Sequence, residues 1–487
     1  MSVETERIST GIVGLDDILN GGLLPGRAYL IRGGPGTGKT TLGFHFLSEG
    51  SINDENTLFI TLTESIERLQ LDAEQKGFKI DQIEFLGLNP TSILDEGQYN
   101  VVHSGEVEQE PLINEITERI NEMQPKRIFL DSVSHLRYLS PDSFQYRKLL
   151  MSLINLAVEQ GATLLLSSEA SSSMPDDDLQ FLCDGVINLG FGYDKRQVRI
   201  SKLRGSDFLE GEHSMRLSEW GMKVYPALKP KKARREYSFE TISSGIPEID
   251  ELLHGGIERG TATVISGPTG VGKTTLGVQF LKEAAGRGER SVVYTFEEAV
   301  ESLQQHCEAV NIPVGSMLEK GTLSLVKIDP LEYMPDEFSH HIRHEVEELG
   351  TKIVMLDSIS GYRLSFEEGQ HEGYEMLRHL HSLAEYLKSL GVTVIFINEI
   401  QNITGDFKIS DQGISYLADS IIFMRYLEIR GEINKAIGVL KKRLSNFEKT
   451  LREAEITKFG FKVGKPLTEL RGVLTGNPEF IASQKEE

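Results

Sequence analysis

The sequence predicts an α/β fold built twice in tandem, and three observations predict it. A long stretch of the first half, ISTGIVGLDDILNGGLLPGRAYLIRGGPGTGKTTLGFHFL, returns in the second as ISSGIPEIDELLHGGIERGTATVISGPTGVGKTTLGVQFL. Within each copy, short β-rich runs alternate with helical patterns, as in RAYLIRG, KTTLGFHFLSEG and NTLFITLTES. Each copy also sets a glycine-rich phosphate-binding pattern between such a strand and such a helix.

The repeat settles domain number first, because Lys39 recurs as Lys273 and Glu64 as Glu298 at one constant offset. Strand and helix alternation then implies, in each half, a mostly parallel twisted sheet flanked by helices on both faces. Late in each half, QVRISKLRG and KAIGVLKKR read as additional strands, antiparallel at the sheet edge. Between the halves, Pro226 to Ser238 crowds Lys229, Lys231, Lys232, Arg234 and Arg235, which reads as a solvated linker. The expected division is a first domain over 1–228, a basic linker over 229–237, a second domain over 238–470 and a short tail over 471–487. A chain of 487 residues is long enough for each domain to hold its own core.

A formal net charge of −22 repels nucleic acid, so DNA and RNA are not expected partners. The segments after the late strands, SEASSSMPDDDLQ and NEIQNITGDFKISDQ, hold Lys408 as their one basic residue, which argues against a ring that moves on DNA. Cys183 and Cys307 alone build neither a disulfide framework nor a cysteine zinc site, as expected of a reducing cytoplasm. MSVETERIST is no signal peptide and no apolar run approaches a membrane span, so a cytoplasmic protein with no membrane partner is expected. The histidines at 340, 341 and 344 read as a solvated helix face rather than a metal site.

The phosphate pattern is Gly33-x-x-x-x-Gly38-Lys39-Thr40, repeated as Gly267-x-x-x-x-Gly272-Lys273-Thr274. Backbone amides around Gly36, Thr37 and Gly38, and around Gly270, Val271 and Gly272, curl about phosphate oxygens; Thr41 and Thr275 extend the cradle at the helix start. Lys39 and Lys273 reach the β- and γ-phosphates, and the hydroxyls of Thr40 and Thr274 are expected to bind Mg²⁺. An acidic partner for the metal should end a downstream apolar strand. RIFLDS and IVMLDS supply Asp131 and Asp357, although an aspartate there can also cap a helix. ATP and Mg²⁺ are therefore the expected cofactors. A carboxylate must also position or deprotonate the attacking oxygen. ITLTES offers Glu64, whereas YTFEEA offers Glu297 and Glu298, with Thr63 facing Glu297 in the alignment.

These motifs, in this order over nearly the whole chain, resemble the KaiC family of tandem RecA-type ATPases. The ISTGI and ISSGI lead-ins, the pair at Glu297 and Glu298, and YLEIRGEINKAIGVLKKR carry the resemblance. It implies two RecA-like P-loop NTPase domains in a double-ring homohexamer, with ATP between neighbouring subunits. It further implies a first ring that hydrolyses ATP and a second that is an autokinase and autophosphatase. Lys202 and Arg204 in SKLRGSDF, with Lys441 and Arg443 in LKKRLSNF, match the segment that reaches the neighbour's nucleotide in this family. In GISYLADSII, Ser415 and Tyr416 match the family's phospho-acceptor pair, with tyrosine where threonine is the rule.

The repeat offers a further comparison. Aligned on Asp184 and Asp419, Ser415 and Tyr416 face Gln180 and Phe181, which carry no acceptor hydroxyl. The second carboxylate and the hydroxyl pair thus occur together in one half and are both missing from the other, while Phe181 gives Tyr416 a packing role. The expected function is a hexameric signalling or timing ATPase that autophosphorylates on serine, with a KaiB-like or other signalling partner. The short ending, IASQKEE after TELRGVLTGNPEF, gives a KaiA-like activator no long tail to grip. A nucleotide-switched scaffold without kinase activity and a RecA-type recombinase or helicase are the alternatives.

Overall fold

The computed structural model describes residues 6–88, 109–138, 140, 142–169, 176–192, 195–229, 240–366, 372–400, 413–473 and 478–480. Backbone contacts divide the chain into two compact units, Met1–Ala227 and Leu228–Glu487. Most of the expected linker, and Lys408 with its loop, lie outside the described residues.

The first unit holds strands β1 (Ala28–Arg32), β2 (Thr57–Thr61), β3 (Ile83–Gly87), β4 (Arg127–Asp131), β5 (Thr163–Ser168), β6 (Gly185–Phe191), β7 (Arg196–Leu203), β8 (His213–Ser218) and β9 (Gly221–Tyr225). They form one nine-stranded sheet in the order β3-β2-β4-β5-β1-β6-β7-β8-β9. From β3 to β6 every pairing is parallel, and from β6 onward every pairing is antiparallel. In the second unit, β10 (Thr241–Ile242) and β11 (Ile257–Glu258) make a small ribbon. The main sheet follows with β12 (Ala262–Gly267), β13 (Ser291–Thr295), β14 (Leu323–Lys327), β15 (Ile353–Asp357), β16 (Thr393–Glu399), β17 (Ser420–Ile429), β18 (Glu432–Lys442), β19 (Arg452–Thr457) and β20 (Gly460–Pro466). Its order, β14-β13-β15-β16-β12-β17-β18-β19-β20, is that of the first sheet element by element. The late strands expected at the edge, β7 and β18, are antiparallel but internal, because two further strands follow each of them.

Parallel strands are covered on both faces, and their sequences show it. Thr57–Thr61 and Ser291–Thr295 are buried throughout. Along β1, Ala28 and Leu30 join the core on one face, while Tyr29 and Ile31 join the core on the other. Along β12, Ala262 and Val264 face one core and Ile265 the other. The lead-in motif has a local cause as well. Asp16 accepts from Ser9 Oγ and Thr10 Oγ1 at 2.7 and 2.8 Å, and Asp250 accepts from Ser243 and Ser244 in the same way, so each acid ties its turn to the short helix behind it.

One difference between the units is energetic. Buried Lys442 Nζ sits 3.1 Å from the Glu258 carboxylate, which also accepts from Ser420 Oγ and Ser445 Oγ. The aligned positions in the first unit hold Leu24 and Leu203, both buried. Losing one member of a buried ion pair strands the other charge, whereas replacing both with apolar groups of similar size removes the problem. Lys442→Leu is therefore expected to destabilise the second unit by about 3 kcal/mol in urea unfolding, and adding Glu258→Leu to restore most of that loss.

Candidate active site

In each unit the central strand ends in the phosphate loop, and the following helix begins at the lysine. Gly38 and Gly272 sit at the helix starts with φ of 102° and 111°, a left-handed conformation that a side chain resists. Neither helix, Lys39–Ile52 or Lys273–Gly286, has a side-chain cap or an acid in its first turn. Their first N–H groups and positive dipole ends are therefore presented to an anion. Gly36, Thr37, Gly270 and Val271 form the loops; Thr37 Oγ1 closes its loop by donating to Gly34 O at 2.8 Å. Thr41 and Thr275 lie within the first helical turn, where Thr275 is buried.

Lys39 Nζ donates to Gly33 O and Gly34 O at 2.9 and 3.0 Å, and Lys273 Nζ donates to Pro268 O at 2.8 Å. Burial pulls both ammonium groups below the ordinary lysine range. Asp131 and Glu169 oppose this at Lys39; Glu399, Asp357 and Glu297 oppose it at Lys273. Each lysine thus lies in a desolvated pocket with an unspent electrostatic appetite for phosphate.

Thr40 Oγ1 donates to Asp131 at 2.6 Å, and Thr274 Oγ1 donates to Asp357 at the same distance. Both carboxylates face the phosphate loop instead of capping a helix, and in the second unit Ser358 is the cap. A hydroxyl beside a carboxylate at a phosphate site is a set of hard oxygen donors that suits Mg²⁺, which takes few protein ligands alongside phosphate oxygens. Among the described residues, no cluster of three or more His, Cys, Asp or Glu side chains could hold a metal by itself. Burial pushes the Asp357 carboxyl up to about 6, with Glu298 and Glu297 adding to the effect and Thr274 and Lys273 opposing it.

The candidate bases lie one strand over. Thr61 pairs with Asp131 in register, as Thr295 does with Asp357, so the turn after each strand opens beside the aspartate. Thr61 Oγ1 donates to Glu64 O and Thr295 Oγ1 to Glu298 O, which gives the two glutamates the same place in the same turn. Glu64 is exposed. Glu298 accepts from Ser302 Oγ at 2.7 Å, and Glu297 accepts from Ser358 Oγ at 2.9 Å.

The remaining candidates gather elsewhere. Ile414–Tyr416 is a single 3₁₀ turn, and Ile414, Leu417 and Ala418 pack into the core on the sheet face opposite the phosphate-loop helix. Ser415 is half-buried. Tyr416 is 78% exposed and Phe181 69% exposed, so the expected packing role fails within each unit: the turn points the neighbouring apolar residues inward and this one out. Lys441 Nζ donates to Ser415 O and Ala418 O at 2.8 and 2.6 Å; Lys202 Nζ donates to Gln180 O and Cys183 O, both at 2.6 Å. Both lysines cap carbonyls of their own chain. Arg204 and Arg443 are half-exposed beside Asp184 and Asp419. Asp419 pairs with Ala262, the first residue of β12, while the phosphate loop leaves its last. That strand is six residues long, or about 17 Å.

Other contacts at the site escape motif reading. Ser167 Oγ donates to the second oxygen of Asp131, where the other unit has Ile397. Arg196 donates to Gly36 O at 3.2 Å and lies over the Phe191 ring; Lys435 donates to Gly270 O at 3.3 Å and lies over Tyr426. A basic residue and an aromatic kept at matching places in the two halves were the signal available for this clamp.

A family model described as the ATPase KaiC matches residues 8–229 and 242–468. The chain is 30% identical over 498 residues to the circadian clock protein KaiC3 of Synechocystis sp., covering 99% of this chain and 96% of that relative. It is 26% identical over 499 residues to the circadian clock oscillator protein KaiC of Acaryochloris marina, covering 99% and 92%. The oscillator protein of Thermostichus vulcanus is also 26% identical, over 500 residues, with 99% and 93% covered.

The raised Asp357 carboxyl has a consequence for stability. The folded chain keeps its proton up to about pH 6, whereas the unfolded chain releases it near 3.8. Stability therefore falls as pH rises across that window and stays lower above it. In nucleotide-free protein, Asp357→Asn is expected to stabilise the second unit at pH 7.5 by on the order of 3 kcal/mol, with the gain vanishing near pH 4, as read by urea unfolding at the two pH values.

Proposed function

The chain belongs to the KaiC family of ATPases, and from that premise we propose a division of labour in which the first half hydrolyses ATP and the second phosphorylates Ser415. One observation carries this reading. Glu297 and Ser415 stand in the second half where the first, on a matching frame, has Thr63 and Gln180.

Lys39 and Lys273 hold the β- and γ-phosphates against the helix N-termini. Thr40 with Asp131, and Thr274 with Asp357, would hold Mg²⁺, which when bound would neutralise charge developing on the phosphates. In the first half Glu64 orients the attacking water. In the second, Glu297 takes the proton from Ser415 Oγ as that oxygen bonds to the γ-phosphorus. The bond from phosphorus to the β,γ-bridging oxygen breaks, its electron pair leaves with ADP, and phosphoserine remains. Glu298 flanks the base, in the place Glu64 occupies in the first half.

Ser415 and the phosphate loop belong to opposite ends of β12 and to opposite sheet faces, which supports transfer from a nucleotide bound by a neighbouring copy. A homohexamer with ATP between subunits satisfies that requirement. Lys202, Arg204, Lys441 and Arg443 then face the neighbour's γ-phosphate, the lysines exchanging their own carbonyls for it. Exposed Tyr416 and Phe181 fall at the same junction. Since the named relatives are clock proteins, a signalling or timing role with a KaiB-like or other protein partner completes the reading.

Incubated with ATP and Mg²⁺, the purified protein is expected to give a shifted band in phosphate-affinity electrophoresis that Ser415→Ala removes; an unmodified parent protein sinks the kinase reading and leaves the scaffold. Lys39→Ala is expected to impair ring assembly and basal hydrolysis, read as native mass and phosphate release. Glu297→Gln is expected to slow Ser415 labelling by roughly 100-fold or more while the assembled mass stays unchanged.

A further inference from the structure

We propose that Ser358 and Gly361 are positioning residues for Glu297: a single hydroxyl aims its carboxylate, and a missing side chain makes room for it. The inference rests on the reading of Glu297 as the base that serves Ser415.

Ser358 directly follows Asp357 and is buried. Its Oγ accepts from the Gly361 N–H at 3.2 Å, and donates to Glu297 Oε1 at 2.9 Å. A serine hydroxyl has one proton to give. With its acceptor side taken up by the cap, that proton is committed to the glutamate, so the start of the short helix Ile359–Tyr362 fixes a side chain that is otherwise exposed. Lys273 and Asp357 both feel the charge of this carboxylate.

Gly361 completes the device from the other side. A Cβ there would lie 2.7 Å from Phe296 Cβ, 2.9 Å from Glu297 Oε1 and 3.1 Å from Glu297 Cγ. Its backbone is not left-handed, so the glycine serves close approach, not conformation. Any side chain at 361 pushes on the stem of Phe296 and on the glutamate next to it.

The first half shows the alternative setting of the same three positions. Thr63 replaces Glu297, His135 replaces Gly361, and Ser132 Oγ lies 3.3 Å from His135 Nδ1. The serine is kept, but its hydroxyl meets the histidine instead of a carboxylate. The two positions around the kept serine change together, as expected when one group is shaped around another.

The test uses the full chain with γ-labelled ATP and Mg²⁺, following the initial rate of Ser415 labelling and its KM for ATP. Ser358→Ala is expected to lower the rate by roughly 10- to 100-fold with KM unchanged, the pattern of an interaction that acts on the chemical step. Ser358→Thr, which keeps the hydroxyl, is expected to recover most of it, and Gly361→Ala to lower the rate. In a Glu297→Gln background, Ser358→Ala is expected to add nothing, because its effect runs through that carboxylate. Additive losses in the double variant, or parent-like labelling by folded Ser358→Ala where Glu297→Gln is impaired, overturn the positioning role while leaving the base in place. Unimpaired labelling by Glu297→Gln itself overturns the base and this proposal together.

Discussion

The hydrogen bond from the threonine of each phosphate-loop helix to the aspartate of a distant strand is the contact on which the site depends. Its partners are 91 residues apart in the first half and 83 in the second, yet the distance is 2.6 Å in both. Such a bond forms only if the intervening strands lie in the right order and register. The central strand brings the helix, and the strand two places away brings the aspartate. The strand beyond, paired in register with that aspartate, opens the turn that carries the candidate base. The residues proposed to meet phosphate, to hold the metal and to act as base are thus placed by one sheet, and an error in register displaces all of them together.

Much of this was legible in the sequence, for identifiable reasons. The phosphate loops declare themselves because glycine, lysine and threonine at fixed spacing serve a local geometry, and the aspartates because an apolar strand ending in acid is a local pattern. What depended on packing was hidden. Tyr416 follows Ile414 in an apolar context, and only the phase of a 3₁₀ turn sends it outward. Lys202 and Lys441 read as cations for another molecule, yet the carbonyls they meet are brought close by a chain reversal that no spacing announces. Ser358 looked like an ordinary residue after the aspartate, since its partner lies 61 positions away. The two outer antiparallel strands of each sheet, β8 with β9 and β19 with β20, lack the strong apolar run that marks the inner ones.

Several differences between the halves fall in sets of neighbouring residues. Glu258 and Lys442 stand against Leu24 and Leu203; Glu297 and Gly361 stand against Thr63 and His135. In the first half Arg32, at the tip of β1, donates to Asp176 at 2.7 Å, where the second has Ser266 bonded to Asn398. The buried pair of Glu258 and Lys442 closes on itself, as it must where water is excluded and a polar group without its partner is costly.

The buried lysine and glutamate of the second half therefore bear on how a duplicated gene can diverge. A chain that acquires either charge alone, in place of a leucine, carries it uncompensated in a dry interior and loses a large part of its margin of stability. The two codons are epistatic: neither is accessible first without a deleterious intermediate, and once both are fixed neither reverts freely. Gene conversion between the repeats, the ordinary force that keeps tandem copies alike, meets the same barrier. A tract that carries one codon without the other strands a buried charge, so this pair helps keep the sequences of the two halves distinct.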